Sequence, residues 1–163
     1  MKALITGIGG FVGPYLAENL LSRKYSVFGI DRNESKVKGC KCFACDITDE
    51  RAVEDVISEV RPDVIFHLAG QSSVEKSYKE PELTFRINVD GTNNIFAALI
   101  NCNLRPKVLI VSSSDVYGAP DAVPIDEHSS RRCEDFGVDK EGPLVLDIAQ
   151  AGAAQHLNGI SKR

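Results

Sequence analysis

Three glycines at a constant spacing of three, Gly7, Gly10 and Gly13, stand directly after the apolar stretch Ala3-Leu4-Ile5. Glycine lets a chain turn tightly and lets its backbone come within hydrogen-bond distance of a ligand. In the order G-x-x-G-x-x-G, Gly7 permits the turn and Gly10 opens the backbone to a pyrophosphate. Gly13 lets a following helix lie close against the strand, and that helix start offers unpaired N–H groups and positive dipole. The pattern predicts a dinucleotide site, provided a strand precedes the turn and a helix follows it.

An acid at the end of the next strand completes such a site. Asp31 stands there, and its carboxylate would accept hydrogen bonds from an adenosine ribose and repel a 2′-phosphate, favouring NAD. The adjoining Arg32 pulls the other way, because a guanidinium pairs with a 2′-phosphate, so NADP stays open. Asp46, ending a third strand, is placed either to meet the adenine amino group or to serve an ordinary turn or cap.

The elements that must hold these residues follow from hydrophobic pattern. Lys2 to Thr6 reads as a buried strand, and Leu16, Leu20 and Leu21 as one face of the helix after the glycines. Tyr25 to Ile30 and Cys42 to Cys45 read as two more strands. Asp49 is placed to cap a helix whose inner face carries Val53, Val56, Ile57 and Val60, and Arg61-Pro62-Asp63 stops it. Val64 to Leu68 is an almost uninterrupted apolar strand, the pattern of a parallel sheet covered on both faces. One long helix from Pro81 to about Asn101 and a fifth strand from Lys107 to Ser112 complete the series. Alternating strands and helices predict an α/β fold, a Rossmann-type doubly wound parallel sheet, over residues 1–127. Residues 128–163 read as a polar, irregular extension with one helical stretch, Leu144 to Leu157.

Bulk properties narrow the function classes. The 163 residues are 43% hydrophobic and 26% charged with a net charge of −4, values ordinary for one soluble domain. An acidic balance disfavours a nucleic-acid partner, and no apolar run is long enough for a membrane span. The start of the chain lacks the charged, apolar and small-residue segments of a signal peptide, so a cytoplasmic protein is expected. Of the five cysteines, Cys40, Cys42 and Cys45 are close together, but no histidine pair or second CxxC accompanies them. They read as reduced structural thiols, and no metal is expected.

Thr6-Gly7-Ile8-Gly9-Gly10-Phe11-Val12-Gly13 resembles the opening of the extended short-chain dehydrogenases/reductases, the nucleotide-sugar epimerases and dehydratases. The likeness continues through Asp46-Ile47-Thr48-Asp49, Pro62 to Gly70, Ile87 to Asn94, Val111 to Gly118 and Pro124 to Glu127, about three quarters of the chain. The resemblance implies that Phe11, Val12, Ile47, Leu68, Ala69, Gly70 and Ser112 face the cofactor and that Asn88, in the long helix, braces the active-site strand. It implies that Ser72, Ser73 and Ser114 lie near a nucleotide-sugar substrate and that Ser113 hydrogen-bonds the sugar O4. A hydroxyl suits that position, since it both donates and accepts. The pair Ser114-Asp115 and the run Gln71-Ser72-Ser73-Val74 resemble the GDP-mannose 4,6-dehydratase and GDP-4-keto-6-deoxymannose reductase group, with Asp115 as a base. A GDP-sugar is therefore the favoured substrate, and a UDP-sugar 4-epimerase is the alternative.

The same resemblance exposes a departure. The family's proton relay is a Tyr-x-x-x-Lys pair one helical turn apart, in which lysine lowers the tyrosine pKa. This sequence has no such pair; Asn158-Gly159-Ile160-Ser161-Lys162 resembles its Tyr-Gly-Ile-Ser-Lys form with Asn158 for tyrosine. Lys162 would still reach the cofactor, but an amide does not shuttle that proton. The expectation is a truncated, catalytically impaired form without the family's small substrate domain, or else a cofactor-binding module. Family members pair through the long helix, so a homodimer or other self-association is also expected.

Overall fold

The structure, a computed structural model, describes residues 1–112, 123–126, 128 and 129. Five strands form one parallel sheet in the order β3-β2-β1-β4-β5: β1 (Lys2–Thr6), β2 (Ser26–Asp31), β3 (Lys41–Ala44), β4 (Val64–His67) and β5 (Lys107–Ile110). Helix α1 (Gly13–Ser22) lies on one face, and α2 (Glu50–Val60) and α5 (Gly91–Asn101) pack together on the other. The sheet is doubly wound, as the sequence pattern predicts.

The two faces of β1 show why its apolar run is unbroken. Ala3 and Ile5 are buried with Ala17 and Leu20 of α1, while Leu4 is buried with Val53, Ile57, Ile65 and Ile95. A strand covered on both faces buries successive side chains in two cores, so apolar residues follow one another and period-two alternation disappears. On α2 the four predicted inner residues are the four buried ones, and the Asp49 carboxylate accepts the Ala52 N–H at 3.1 Å as its cap. On α1 the tightest contacts fall on Gly13, Ala17 and Leu20, with Leu16 and Leu21 half-buried beside them.

Two predicted elements differ. The segment Pro81 to Asn101 is not one regular helix: α4 (Pro81–Phe85) passes through a π-helical turn at Arg86–Asp90 into α5, where the Gly91 N–H bonds back to the Arg86 carbonyl. A short helix α3 (Val74–Lys79), capped by Ser73, precedes it where the sequence pattern shows no element. At six residues it is too brief for helical periodicity to register. Strand β5 ends at Ile110, two residues before the predicted Ser112. The stretch Leu144 to Leu157 lies outside the described residues.

Candidate dinucleotide cleft

At the carboxyl ends of β1, β2 and β4 the chain encloses a cleft of about 340 Å³. Open parallel sheets bind ligands at this place, because neighbouring loops there diverge to opposite faces. Of the residues expected to face a cofactor, Gly7, Gly10, Asp31, Arg32, Asp46, Ile47, Leu68, Ala69 and Gly70 line it.

The glycine turn divides its labour as the spacing predicts. Gly7 adopts φ +70°, and a Cβ there would stand 2.9 Å from the Ala69 backbone, so side chains are excluded twice over. Its N–H donates to the Ile30 carbonyl at 2.8 Å, tying the turn to β2. A Cβ on Gly13 would fall 2.3 Å from the Ile8 carbonyl oxygen, which makes Gly13 the packing glycine of the turn. Gly10 is different: a Cβ there would meet one atom, the Gly7 oxygen at 3.1 Å. Its missing side chain leaves room in the cleft instead of relieving a clash. Helix α1 begins with no side chain bonding its first turn.

Asp31 closes the far side. Its Oδ2 accepts the Gly9 N–H at 2.9 Å and Oδ1 accepts the Asn33 N–H at 3.3 Å, so the carboxylate is aimed at the turn. Asp46 reaches the cleft while its Oδ1 accepts both the N–H and hydroxyl of Thr48 at 2.9 Å. The backbone N–H of Thr48 holds the Asp46 carboxyl below the usual carboxylate range, against the opposing effect of burial and with help from Arg32 and Arg86. The turn role left open by the sequence is thus filled. Ile47 is both wall and core: its carbonyl accepts from the Asn94 side chain at 2.9 Å.

Other expected residues stand elsewhere. Phe11 and Val12 are exposed at the helix start outside the cleft lining, with Phe11 tilted against Tyr15 at 6.0 Å between ring centres. Asn88 is buried in the π turn, where Oδ1 accepts the Gln71 N–H at 2.7 Å and Nδ2 donates to the Gln71 carbonyl at 3.1 Å. It acts on the cleft through Gln71, which lines the wall. Ser72 and Ser73 are exposed, and the Ser73 hydroxyl accepts the Lys76 N–H at 3.3 Å. Ser112 is exposed after β5 and does not line the cleft. Ser113, Ser114, Asp115, Asn158 and Lys162 lie outside the described residues.

Sequence reasoning missed Lys76, Leu83 and Ile87 on the cleft wall, brought there by α3, α4 and the π turn. It also missed His67, buried at 4% exposure between Thr6 and Thr92. The available signal was a lone imidazole inside an apolar strand. Cys45 joins the wall too; burial, with Asp49, Asp46 and Asp55 nearby, raises its thiol to about 11, so it is no nucleophile.

A family model described as GDP-mannose 4,6 dehydratase matches residues 4–133. GDP-mannose 4,6 dehydratase 2 of Caenorhabditis elegans is 37% identical over 145 residues, covering 77% of this chain and 38% of that protein. A UDP-glucose 4-epimerase of Mycolicibacterium smegmatis is 34% identical, covering 78% of this chain and 44% of its own length. The chain spans less than half the length of these relatives. In three dimensions it resembles the UDP-glucose 4-epimerase of Bifidobacterium longum, solved with NAD+ and UDP, at TM-score 0.80 and 26% identity, over 98% of this chain and 49% of that one. The Thermus thermophilus epimerase, solved with NAD, gives TM-score 0.78 and 27% identity over 98% of this chain and half of that one.

Proposed function

The chain belongs to the GDP-mannose 4,6-dehydratase family, and from that premise we propose that its cleft binds NAD or NADP for a reaction on a nucleotide sugar. The carrying observation is that Gly10, Asp31 and the Leu68–Gly70 loop frame one cleft at the carboxyl edge of the sheet. The residues fit the group. Gly10 leaves space beside the uncapped start of α1 for a pyrophosphate, and the Asp31 carboxylate stands where a ribose hydroxyl would donate. NAD is favoured through Asp31; Arg32 in the same wall is the group that would accept NADP.

The nicotinamide supplies hydride exchange with a sugar carbon. In this reading Ser113 orients the sugar O4, Asp115 serves as base, and Ser72, Ser73 and Ser114 border the sugar. Asn158 in place of the family's tyrosine leaves proton transfer impaired, with Lys162 still beside the cofactor. The favoured substrate is a GDP-sugar undergoing 4,6-dehydration or 4-keto reduction. A UDP-sugar is the second reading, supported by the likeness to the Mycolicibacterium smegmatis epimerase. Residues 1–127 act as the cofactor domain, with 128–163 as an extension to it. The remaining proposals are a cytoplasmic location and self-association through the α4–π turn–α5 segment, which exposes Phe85 and Ile100. Among the described residues no helix is long and apolar enough to cross a membrane.

The test is calorimetric titration of the full chain with NAD(H) and NADP(H), alongside Gly10→Leu. A Cβ at Gly10 would meet only the Gly7 oxygen, at 3.1 Å, so leucine there should abolish binding, with circular dichroism checking that the variant keeps its fold. Absence of binding by the native chain would refute the proposal. A gain of turnover in Asn158→Tyr with a GDP-sugar would support the alignment of Lys162.

A further inference from the structure

His67 ends β4 beside Thr6, its registered partner at the end of β1. Thr6 Oγ1 lies 2.6 Å from His67 Nδ1, and the Ala69 N–H donates to that same Thr6 oxygen at 3.2 Å. On the other side His67 Nε2 lies 3.0 Å from Thr92 Oγ1, whose hydroxyl donates to the Asn88 carbonyl at 2.6 Å. Proton counting orients this chain. Thr92 has spent its one hydroxyl proton on Asn88, so it must accept from Nε2–H. Nδ1 of a neutral ring is then an acceptor and takes the Thr6 proton.

The relay therefore starts at the Ala69 amide and runs through Thr6 and His67 to Thr92 and the Asn88 carbonyl. Asn88 returns to the same loop, because its side-chain amide holds both the N–H and carbonyl of Gln71. Both ends grip one short segment, residues 69 and 71, with Gly70 between them. Asn88 is buried within the π turn at Arg86–Asp90, which joins α4 to α5. All of Leu68, Ala69, Gly70 and Gln71 line the cleft.

We propose that His67 is a positioning residue for dinucleotide binding, holding the Leu68–Gln71 backbone in its binding shape through a one-way relay that joins β1, β4 and the π turn. The role in cofactor binding rests on the function proposed above; the relay itself does not. A cofactor approaching the β4 edge meets backbone, not side chains, at Ala69 and Gly70, so a loop fixed from behind needs no rearrangement to receive it. Each buried polar atom in the relay has a partner, so a single deletion leaves another atom unpaired within the network.

The experiment compares the full-length native chain with Thr6→Val, Thr92→Val, His67→Leu and the conservative His67→Gln, without and with NADH. Without cofactor, ¹⁵N spectra should show His67 as the neutral Nε2–H tautomer. Amide exchange at Ala69 and Gln71 should quicken at least tenfold in the two Thr→Val variants and His67→Leu while the α2 and β2 amides keep native protection. His67→Gln, which retains a donor and an acceptor, should recover part of the protection. With cofactor, NADH should bind about tenfold more weakly to Thr92→Val, the factor one lost buried hydrogen bond carries. An Nδ1–H tautomer, unchanged exchange at Ala69 and Gln71, or a uniform rise across the sheet would overturn the relay. Altered exchange with unchanged NADH affinity would overturn the positioning role. Failure of the native chain to bind NADH would remove the function proposed above and this role with it, while leaving the apo-protein relay standing.

Discussion

Mild acid should destabilise this domain through His67. The imidazole is 4% exposed, and burial lowers its pKa from 6.5 to about 4. The native state thus holds the ring neutral, whereas the unfolded chain protonates it readily as pH drops below 6.5. Stability from the neutral ring is fully present above that value and is lost as pH falls towards 4. Linkage converts the gap between 6.5 and 4 into a limit of about 3 kcal/mol, of which about 2.5 kcal/mol is lost between roughly pH 7.5 and 4.5. Against a typical domain stability of about 5–15 kcal/mol, that loss is large. Asp46, whose carboxyl is held below its ordinary value, loses its stabilising contribution on further acidification and is separable by Asp46→Asn. The assay is urea unfolding followed by far-ultraviolet circular dichroism at half-unit steps from pH 7.5 to 4.5, for the native chain and His67→Gln. The native curve should fall more steeply by about 2.5 kcal/mol over that interval, since glutamine does not titrate. Parallel curves, or a His67 proton resonance titrating near 6.5 in the folded protein, would refute the reasoning.

Three further outcomes follow from the packing. Gly13→Ala, whose Cβ would fall 2.3 Å from the Ile8 carbonyl, should cost about 1–3 kcal/mol in urea unfolding, and Gly10→Ala, whose Cβ meets only the Gly7 oxygen at 3.1 Å, should cost less. Gly91→Ala should be destabilising alone, because its Cβ would stand 2.6 Å from Ile47 Cδ1 and 2.8 Å from Cγ1; in an Ile47→Ala background, which removes both atoms, it should become neutral or stabilising, a double-mutant coupling near 1 kcal/mol. Asp49→Ala removes the cap bond to the Ala52 N–H and should cost about 1 kcal/mol in thermal or urea unfolding, with restoration by Asp49→Asn.

The class of fold and the glycine turn are legible in the residues alone. Gly7, Gly10 and Gly13 announce a strand–turn–helix, because a Cβ at Gly7 would overlap the Ala69 backbone and one at Gly13 would overlap Ile8. The four inner residues of α2 are legible because an amphipathic helix writes its burial as a local period. Even the strands of the sheet announce themselves, since burial on both faces leaves unbroken apolar runs.

Which distant residues meet depends instead on how the strands assemble. Strand order places β1 beside β4, and parallel register sets Thr6 opposite His67; neither follows from a local pattern. His67 therefore reads in sequence as one polar residue in an apolar strand and Thr92 as an unremarkable helix residue, while Asn88, marked as a brace by the family resemblance, shows no partner in any local pattern. The π turn is equally silent, because one extra residue in a helical turn hardly changes a short hydrophobic period, yet it carries Asn88 to Gln71 and Ile87 to the cleft. Lys76 and Leu83 reach the same wall from elements too short to show a period. Periodicity records which face of an element is buried; the cleft depends on which elements are neighbours, and that is a property of the assembled sheet.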